Sequence, residues 1–479
     1  MRESYPLYLA GRAMFTDSTI PVVNKFTGES IARVSLAHEH ILDQAIAAGQ
    51  GAERACRKLS SFARSDVLNH VASRLQLKQD EFARVLAIEA GKPIRDARGE
   101  IVRAIETFQL GAEEALRIRG EYLPLDLSRR TEGYQGIWKR VPIGLCSFIA
   151  PFNFPINLAA HKIAPAIAAG CPFILKPASL TPISAILLGE ILAETEWPHA
   201  GFSMLPCRRE SADLMATDQR FKLLSFTGSP QVGWALKARA GKKSVILELG
   251  GNAACIVDRD ADLTHATARI IIGAFYQSGQ SCISVQRILV HESIYDDFKA
   301  RLVAAANVLK SGDPLSEETF LGPLITEQDA MRVEEWVRNA VAQGAEVLCG
   351  GARRGSFFDA TLLERVPDSC ELGCREVFGP VAIIEPFATF EHACRRVNAS
   401  DFGLQAGVFT NNLQSAFYAF DELEVGGVVI NDVPSFRADA MPYGGVKDSG
   451  LGREGVRFAI EHMTEMRLLV LNRIGERPE

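Results

Sequence analysis

The sequence around one cysteine has the residue types that a nucleophilic thiol needs. Cys282 follows the small and polar residues 279–281 and stands between an apolar helix-like run, 270–276, and an apolar strand-like run, 286–290. A thiol at such a junction can be exposed enough to react and held firmly enough to be aimed. Because most of the ten cysteines are expected to be small buried residues, Cys282 needs a base, an oxyanion donor and an electron acceptor from elsewhere in the chain.

Two other positions carry groups suited to such chemistry. Glu248 ends a predicted strand just before two glycines, which let the backbone turn and place the carboxylate at the carboxyl edge of a sheet. Asn153 lies between two phenylalanines, after a predicted strand and before a predicted helix. Its amide suits a developing oxyanion, but it is equally suited to capping the helix that begins at 156. Taken alone, Glu248 is also compatible with a solvated strand-end carboxylate, so both interpretations stay open at this point.

Length and composition limit the class of protein. A chain of 479 residues with 47% hydrophobic and 23% charged residues is typical of a soluble protein of two or three domains. A net charge of −6 gives no electrostatic basis for binding nucleic acid or an anionic membrane. The N-terminus lacks a signal-peptide core, and no apolar run is long enough to span a membrane. The scattered cysteines, without a Cys-x-x-Cys pair, indicate reduced thiols in a cytoplasmic enzyme and no metal site.

The order of elements predicts the fold class. Strand and helix patterns alternate from 143 to 249 and again from 251 to about 440, which favours an α/β fold with a parallel sheet covered by helices on both faces. Residues 120–142 look like two extended segments that leave the main body. The apolar strand 467–471 near the end of the chain needs a partner, which this ribbon or another subunit could provide.

Seven motifs in this chain resemble, in order and spacing, those of the aldehyde dehydrogenase superfamily. They lie at residues 151–155, 175–179, 226–229, 247–252, 279–282, 376–380 and 442–450. The resemblance covers nearly the whole chain and implies a Rossmann-type cofactor domain, a catalytic domain and a small β ribbon that joins subunits into a homodimer or homotetramer. The implied ranges are 1–122, 141–249 and 443–462 for the cofactor domain, 250–442 for the catalytic domain, and 123–140 and 463–479 for the bridging segments.

The resemblance also implies the catalytic roles. Cys282 would attack the aldehyde to give a thiohemiacetal, and Asn153, together with the backbone N–H of Cys282, would stabilise the oxyanion. Glu248 would activate the water that hydrolyses the thioester. Because relatives that transfer the acyl group to coenzyme A typically lack this glutamate, its presence favours a free carboxylic acid as the product.

The implied electron acceptor is NAD or NADP. Lys176 would meet the adenosine ribose. Ser179 stands where many NAD-preferring relatives have a glutamate that repels a 2′-phosphate, so NADP is permitted. The other implied cofactor contacts are Phe152, Gly228, Ser229, Gly233, Glu376 and Phe378.

The substrate pocket is described by fewer residues. Asn157 and His161 are one helical turn apart and are expected to face it. Phe436 and Arg437 lie in the segment that would close it, where Arg437 could hold a small anion or hydroxyl group or form a structural salt bridge. Arginines typical of succinic semialdehyde enzymes are absent from the positions of His161 and Tyr276. We therefore expect a small polar aldehyde such as lactaldehyde as the substrate, with succinic semialdehyde and non-phosphorylating oxidation of glyceraldehyde 3-phosphate as alternatives.

Two functions without redox chemistry are the remaining alternatives. One is a thioesterase or esterase that uses Cys282 and Glu248, and the other is a non-catalytic structural protein on the same fold. The resemblance of Lys176, Gly228 and Glu376 to a cofactor site speaks against the first. The complete set of nucleophile, base and oxyanion donor speaks against the second.

Overall fold

The computed structural model describes residues 1–472, in which two large sheets dominate. The first has eight strands. Its five central strands are parallel, and shorter antiparallel strands flank them on both sides. In spatial order the strands are Gly450–Leu451, Ser244–Glu248, Leu223–Thr227, Cys146–Ile149, Phe173–Lys176, Phe202–Met204, Leu7–Leu9 and Arg12–Met14.

The second large sheet has seven strands, all parallel except one edge strand. Its interior strand Ala254–Val257 is buried at all four residues, as expected for a parallel strand covered on both faces. In spatial order the strands are Glu346–Cys349, Thr361–Glu364, Val381–Phe387, Arg287–His291, Ala254–Val257, Gln405–Phe409 and Gly427–Ile430.

Helices cover both faces of each sheet. In the eight-stranded sheet, Phe173 and Leu175 point into the core that contains helix Asn157–Ala169, whereas Ile174 packs on the opposite face against helix Glu39–Lys58. This alternation is the two-residue period of a strand buried on both sides. The predicted α/β fold is confirmed. The helices are Glu39–Lys58, Ser61–Leu77, Gln79–Ala90, Ile94–Ala115, Asn157–Ala169, Ile183–Ala193, Asp213–Thr217, Pro230–Arg239, Leu263–Phe275, Tyr295–Asn307, Glu327–Ala342, Glu371–Cys374, Phe390–Asn398, Leu413–Glu422 and Val456–His462.

A three-stranded ribbon sheet projects from this body. Strand Thr464–Asn472 pairs antiparallel with Tyr134–Pro142 along its whole length, and Tyr134–Pro142 pairs in turn with Gly120–Pro124. The predicted ribbon therefore provides the partner that the last strand needs. Residues 473–479 of the predicted bridging segment lie outside the described residues, and the domain boundaries stay a prediction.

Smaller pairings complete the strand set. Strands Ser4–Tyr5, Ser30–Ser35 and Thr19–Val23 form a second three-stranded sheet, and two-stranded sheets join Arg353–Arg354 to Phe357–Phe358 and Phe402–Gly403 to Val446–Lys447. Within residues 1–472, no helix is long and apolar enough to cross a membrane.

The sequence located eight elements of the second alternating block but missed several others. Strands Ala254–Val257 and Thr361–Glu364 were not predicted, nor were helices Phe390–Asn398 and Leu413–Glu422. Both strands have only four residues, too few to show a period. Helix Leu413–Glu422 buries only Ala419 and leaves large apolar side chains exposed, so its pattern does not describe a buried face.

Candidate active site

Cys282 follows a sharp turn between a helix and a central strand. After helix Leu263–Phe275, Gln277 (φ 49°) and Ser278 (φ 55°) take the left-handed conformation that non-glycine residues rarely adopt. The chain then enters strand Arg287–His291. Cys282 is partly exposed, whereas eight of the other nine cysteines are buried, and it lines a cavity of 790 Å³. Its exposure and its place in the cavity wall make it accessible to a small molecule.

The thiol of Cys282 has one close polar neighbour. Its Sγ lies 3.3 Å from the hydroxyl oxygen of Tyr443. Burial raises the pKa of Cys282 to about 12; the hydrogen bond with Tyr443 acts against this, while the carboxylates of Glu376 and Glu248 add to it. The thiol is therefore protonated at neutral pH, and it needs a base to form the reactive thiolate.

Glu248 has the properties of a general base. It ends strand Ser244–Glu248, lines the same cavity, and neither of its buried carboxylate oxygens has a hydrogen-bond partner among the described residues. Burial, and then the negative charge of Glu454, raise the pKa of Glu248 well above its ordinary value, although Arg437 and Lys162 act in the opposite direction. A buried carboxylate with a raised pKa is suited to accept a proton.

Asn153 lines the cavity with an available donor. Its side-chain Nδ2 donates to the carbonyl oxygen of Gln280 at 3.0 Å. Because a carboxamide has two N–H hydrogens, one remains for a ligand. The backbone N–H of Cys282 likewise donates to no atom within residues 1–472. The two donors that the resemblance assigned to an oxyanion are thus both free for one.

The alternative role of Asn153, capping the following helix, is not seen. Helix Asn157–Ala169 receives no side-chain cap from the residue before it. Instead, the backbone N–H groups of Ile156 and Asn157 donate to one carboxylate oxygen of Glu100, at 3.0 and 3.1 Å. A carboxylate at a helix N-terminus satisfies the free N–H groups and suits the helix dipole. The helix is therefore anchored without Asn153.

Four residues predicted to bind the cofactor line this part of the cavity. The Gly251 N–H donates to Glu376 Oε1 at 3.0 Å, and burial raises the pKa of Glu376 to about 7. The other oxygen of Glu376 has no partner among residues 1–472. The rings of Phe152 and Phe378 meet edge to face, with centroids 5.8 Å apart. Ser229 also lies in the cavity wall.

These groups fit a nicotinamide dinucleotide. Gly228 and Ser229 line the cavity just before helix Pro230–Arg239, whose first N–H groups and dipole suit a pyrophosphate. The Ser229 side chain makes no capping bond, and the free oxygen of Glu376 suits a ribose hydroxyl. Gly233 lies in the helix, packed against Leu249 rather than in the wall.

The predicted adenosine-side residues lie at the end of a strand next to this cavity but do not line it. Lys176 ends strand Phe173–Lys176 and is half-buried, and burial lowers its pKa. Its Nζ contacts only the Pro177 carbonyl oxygen, at 3.4 Å, among the described residues. Ser179 is exposed. Within residues 1–472, no group of three or more His, Cys, Asp or Glu side chains is arranged to hold a metal ion.

The predicted substrate residues divide into two groups. Asn157 and Arg437 line the cavity. His161 is buried behind the wall, where its Nε2 lies 2.9 Å from Asp439 and its Nδ1 lies 2.7 Å from a guanidinium nitrogen of Arg437. Phe436 is 45% exposed and does not line the cavity. His161 therefore contacts Arg437 rather than the cavity space.

Asp439 holds several side chains in this part of the site through hydrogen bonds. Besides His161, it accepts hydrogen bonds from Arg103, at 2.9 Å, and from the Thr107 hydroxyl, also at 2.9 Å. Burial acts to raise the pKa of Asp439, but His161, Arg103 and Arg437 together hold it far below its ordinary range. The guanidinium of Arg437 stacks 3.7 Å above the Tyr443 ring, which connects this network to the hydroxyl beside Cys282.

A buried ion pair next to Glu248 was also missed from the sequence. Lys162 Nζ lies 2.9 Å from Glu454 Oε1 and also donates to the hydroxyls of Ser225 and Thr227. Burial acts to raise the pKa of Glu454, but Lys162 and the neighbouring His161 and Arg437 bring it well below its ordinary value. A lysine inside the apolar helix pattern 158–167 was the available signal, because a buried charge needs a partner.

Comparisons with known proteins identify the family of this chain. The sequence model of the aldehyde dehydrogenase family matches residues 14–469. The 3-sulfolactaldehyde dehydrogenase of Priestia aryabhattai is 43% identical over 471 residues, which cover 98% of both chains. The crystal structure of aldehyde dehydrogenase 21 from Physcomitrella patens, in complex with the reaction product succinate, is 49% identical, with a TM-score of 0.98 and 100% coverage of both chains.

A third similar protein is glyceraldehyde-3-phosphate dehydrogenase from Methanocaldococcus jannaschii, solved in complex with NADP. It is 38% identical, with a TM-score of 0.92, and covers 96% of this chain and 100% of its own. These similarities define an oxidoreductase that acts on aldehyde groups. The chain belongs to the aldehyde dehydrogenase family, and it oxidises a small aldehyde with NAD or NADP.

Proposed function

We propose that this enzyme oxidises short aldehydes that carry an anionic group at their far end, and that it releases the free acid. The observation that carries the proposal is that two arginines with open donors line the cavity of Cys282. Arg103 bonds Asp439 through one terminal nitrogen, and the rest of its guanidinium has no partner within residues 1–472. Nη1 of Arg437 likewise has no partner there, whereas its buried Nε forms an ion pair with Asp439 at 3.8 Å.

The similar proteins support an anionic substrate. A sulfonate, a carboxylate and a phosphate distinguish the molecules in their names, which are 3-sulfolactaldehyde, succinate and glyceraldehyde 3-phosphate. Arginine suits all three groups because its planar guanidinium binds such oxygens bidentately. The sequence argument against a dicarboxylic semialdehyde considered only two positions, those of His161 and Tyr276. Arg103 and Arg437 provide the cations from other elements.

Each residue of the candidate active site has a separate role in the proposed reaction. The Cys282 thiol passes its proton to solvent water, and the thiolate attacks the aldehyde carbon to form a thiohemiacetal. Asn153 and the Cys282 N–H donate to the resulting oxyanion. Bound NAD or NADP would supply the acceptor for the hydride that leaves the thiohemiacetal carbon to give the thioester, and Glu376 would hold its ribose. Glu248 then deprotonates a water that attacks the thioester, which frees the acid and the thiol.

A substrate series with an arginine variant tests the anionic class. We expect kcat/KM for succinic semialdehyde and glyceraldehyde 3-phosphate to exceed that for lactaldehyde, with hexanal lowest. Arg103→Gln should lower kcat/KM for the anionic substrates by about 10- to 100-fold, because a hydrogen bond to a charged group contributes about 1.5–3 kcal/mol. It should leave hexanal oxidation unchanged.

Arg269→Gln is the matched control. Arg269 also lines the cavity, but its guanidinium is held by Asp432, with Nε 2.6 Å from Oδ1. We expect this variant to treat anionic and neutral aldehydes as the unmodified enzyme does. A preference for hexanal, or an equal loss on all substrates in Arg103→Gln, would contradict the proposal.

We further propose that the enzyme is a homodimer or a homotetramer joined through its ribbon sheet. Strand Thr464–Asn472 exposes a continuous apolar run, with Leu468 and Leu469 53% and 54% exposed. Helix Leu413–Glu422 exposes Phe417 and Phe420. Apolar patches of this kind mark protein interfaces. The outer edge of the ribbon strand and that of Gly427–Ile430 are both unpaired within residues 1–472, so each can extend a sheet of a second copy.

A charge on the exposed apolar strand should dissociate the assembly. We expect Leu469→Glu to shift the sedimentation coefficient from the oligomer to the monomer, because an unpaired buried charge destabilises an interface. Leu77→Glu is the control, since Leu77 is 76% exposed at the end of a helix. An unchanged oligomer in Leu469→Glu would place the interface elsewhere. The cytoplasmic location stays a prediction.

A further inference from the structure

A second cavity, of 440 Å³, lies away from the active site and shares no lining residue with it. Helix Glu39–Lys58 contributes three cations to its wall: Arg54, Arg57 and Lys58. Arg54 is three residues before Arg57 and four before Lys58, so all three occupy one face of the helix. Like charges at this spacing repel one another. Among residues 1–472, no carboxylate lines the cavity.

The opposite wall repeats this arrangement on a sheet. Lys139 and Arg467 line the cavity and are directly opposite each other in the antiparallel pairing of the ribbon sheet. Side chains that face each other in this way have Cβ atoms about 5 Å apart, and two like charges there destabilise the pair. Two independent elements thus hold cations in repelling positions around one space.

None of these five cations forms an ion pair within residues 1–472. Glu465 is the nearest carboxylate along the ribbon strand, and it too forms no ion pair in this part of the chain. The whole protein is acidic, with a net charge of −6. A cation cluster without carboxylates is therefore a local feature and not a consequence of composition.

Two further arginines in the wall have structural contacts of their own. Arg64 donates to the carbonyl oxygen of Ala168 at 2.7 Å, and Arg140 donates to the Thr464 hydroxyl at 3.1 Å. The Nε of Arg64 is nevertheless buried without a partner. These two are held in place by the protein, which leaves the other five free to contact a ligand.

We propose that this cavity binds a small anion with two or more adjacent phosphate groups. Its volume is within the range of ligand pockets, about 300–1,000 Å³, and arginine and lysine are the side chains that bind phosphate oxygens. An anion placed between Arg57 and Lys139 relieves the repulsion on both walls and connects the helix to the ribbon sheet. Helix Asn157–Ala169 reaches this cavity with Ala169 and the active-site cavity with Asn157, so the two sites lie about 20 Å apart along one helix.

Calorimetric titration with inorganic pyrophosphate tests the proposal on the full-length enzyme. We expect saturable binding with one site per chain at physiological ionic strength, with and without saturating NAD or NADP. Binding that persists with the cofactor present excludes the pyrophosphate site at Gly228 and Ser229. Raising the salt concentration should weaken it, because charge interactions are screened.

The double variant Arg57→Ala/Lys139→Ala should weaken pyrophosphate binding by at least about tenfold and leave kcat/KM for the aldehyde unchanged. Arg84→Ala, at an exposed arginine on another helix, should bind normally. No binding beyond that of chloride at equal ionic strength, loss of binding with cofactor present, or unchanged binding in the double variant would each overturn the proposal. A further contradicting result would be that pyrophosphate does not bind and that the double variant changes its oligomeric state. The cavity would then be a contact between subunits.

Discussion

A Cys282→Ala enzyme is expected to oxidise its aldehyde at least about 10³-fold more slowly, because the covalent intermediate forms on the thiol that this change removes. Cys282 is the partly exposed thiol beside Tyr443, and the free donors of Asn153 and its own backbone lie in the same wall. The loss should appear in kcat and not in the cofactor Kd, since the cofactor contacts are unchanged. Absorbance of the reduced nicotinamide measures the first quantity, and fluorescence titration measures the second.

The matched control for this prediction is a second cysteine in the same cavity. Cys374 lines it, is exposed, and lies beside Glu376 in the sequence. Cys374→Ser should retain near-normal activity and its sensitivity to iodoacetamide, whereas the remaining activity of Cys282→Ala should not respond to that reagent. If Cys374→Ser loses activity and Cys282→Ala keeps it, Cys282 is not the nucleophile.

The second large effect is expected at Glu248. Glu248→Gln should still release about one equivalent of reduced cofactor per subunit in a rapid burst. Its steady-state turnover should then be about 10²- to 10⁴-fold slower than that of the unmodified enzyme, because hydrolysis of the thioester lacks its general base. Both carboxylate oxygens of Glu248 are buried without partners, so the amide replaces no structural hydrogen bond. Rapid mixing followed by mass spectrometry of the quenched enzyme should detect the acyl group on Cys282.

The Glu248→Gln variant also tests which group causes the pH dependence of the steady-state rate. Burial raises the pKa of Glu248, and only the ionised carboxylate accepts a proton. The steady-state rate should therefore be low at pH values below that pKa and should rise as the pH increases through it. Burial also raises the pKa of Glu376, to about 7, so the titration of Glu376 has to be separated from that of Glu248. The low-pH fall in the deacylation rate should disappear in Glu248→Gln if Glu248 is responsible.

Asp448→Asn serves as the control for Glu248→Gln. Asp448 also lines the cavity but is exposed, and it makes no side-chain hydrogen bond within residues 1–472. The same change from carboxylate to amide should leave both the burst and the steady state intact. A Glu248→Gln enzyme without a burst would move the role of Glu248 to the acylation step, and one with normal turnover would remove it from the mechanism.

The alternating pattern was enough to predict the parallel sheets, because strands buried on both faces and helices leave distinct periods in a sequence. Cys282, Glu248 and Asn153 each stand at a strand end or a turn, but the local sequence left their alternatives open. They could be chosen only because their motifs resemble those of the family. The structure brings all three to one cavity wall, although their roles stay proposals.

The substrate side could not be predicted in the same way. Arg103 lies within helix Ile94–Ala115, and Asp439 is far from it in sequence. A contact across this separation has no local pattern, and a single sequence cannot indicate it. His161 was expected in the pocket because of its helical spacing with Asn157. That spacing places both residues on one face of the helix, but it does not indicate which residues pack over that face. The pairing of Lys162 with Glu454 was hidden for the same reason.

The sharing of Asp439 among Arg103, His161 and Thr107 has a consequence for altering the specificity of this enzyme. A substitution of either cavity arginine leaves a buried negative charge that the remaining partners must neutralise, so its effects combine binding with folding. Engineers who seek neutral aldehydes should therefore exchange Asp439 and Arg103 together, as a charge-conserving pair. Laboratory evolution that accepts one mutation at a time would have to cross an intermediate of low stability.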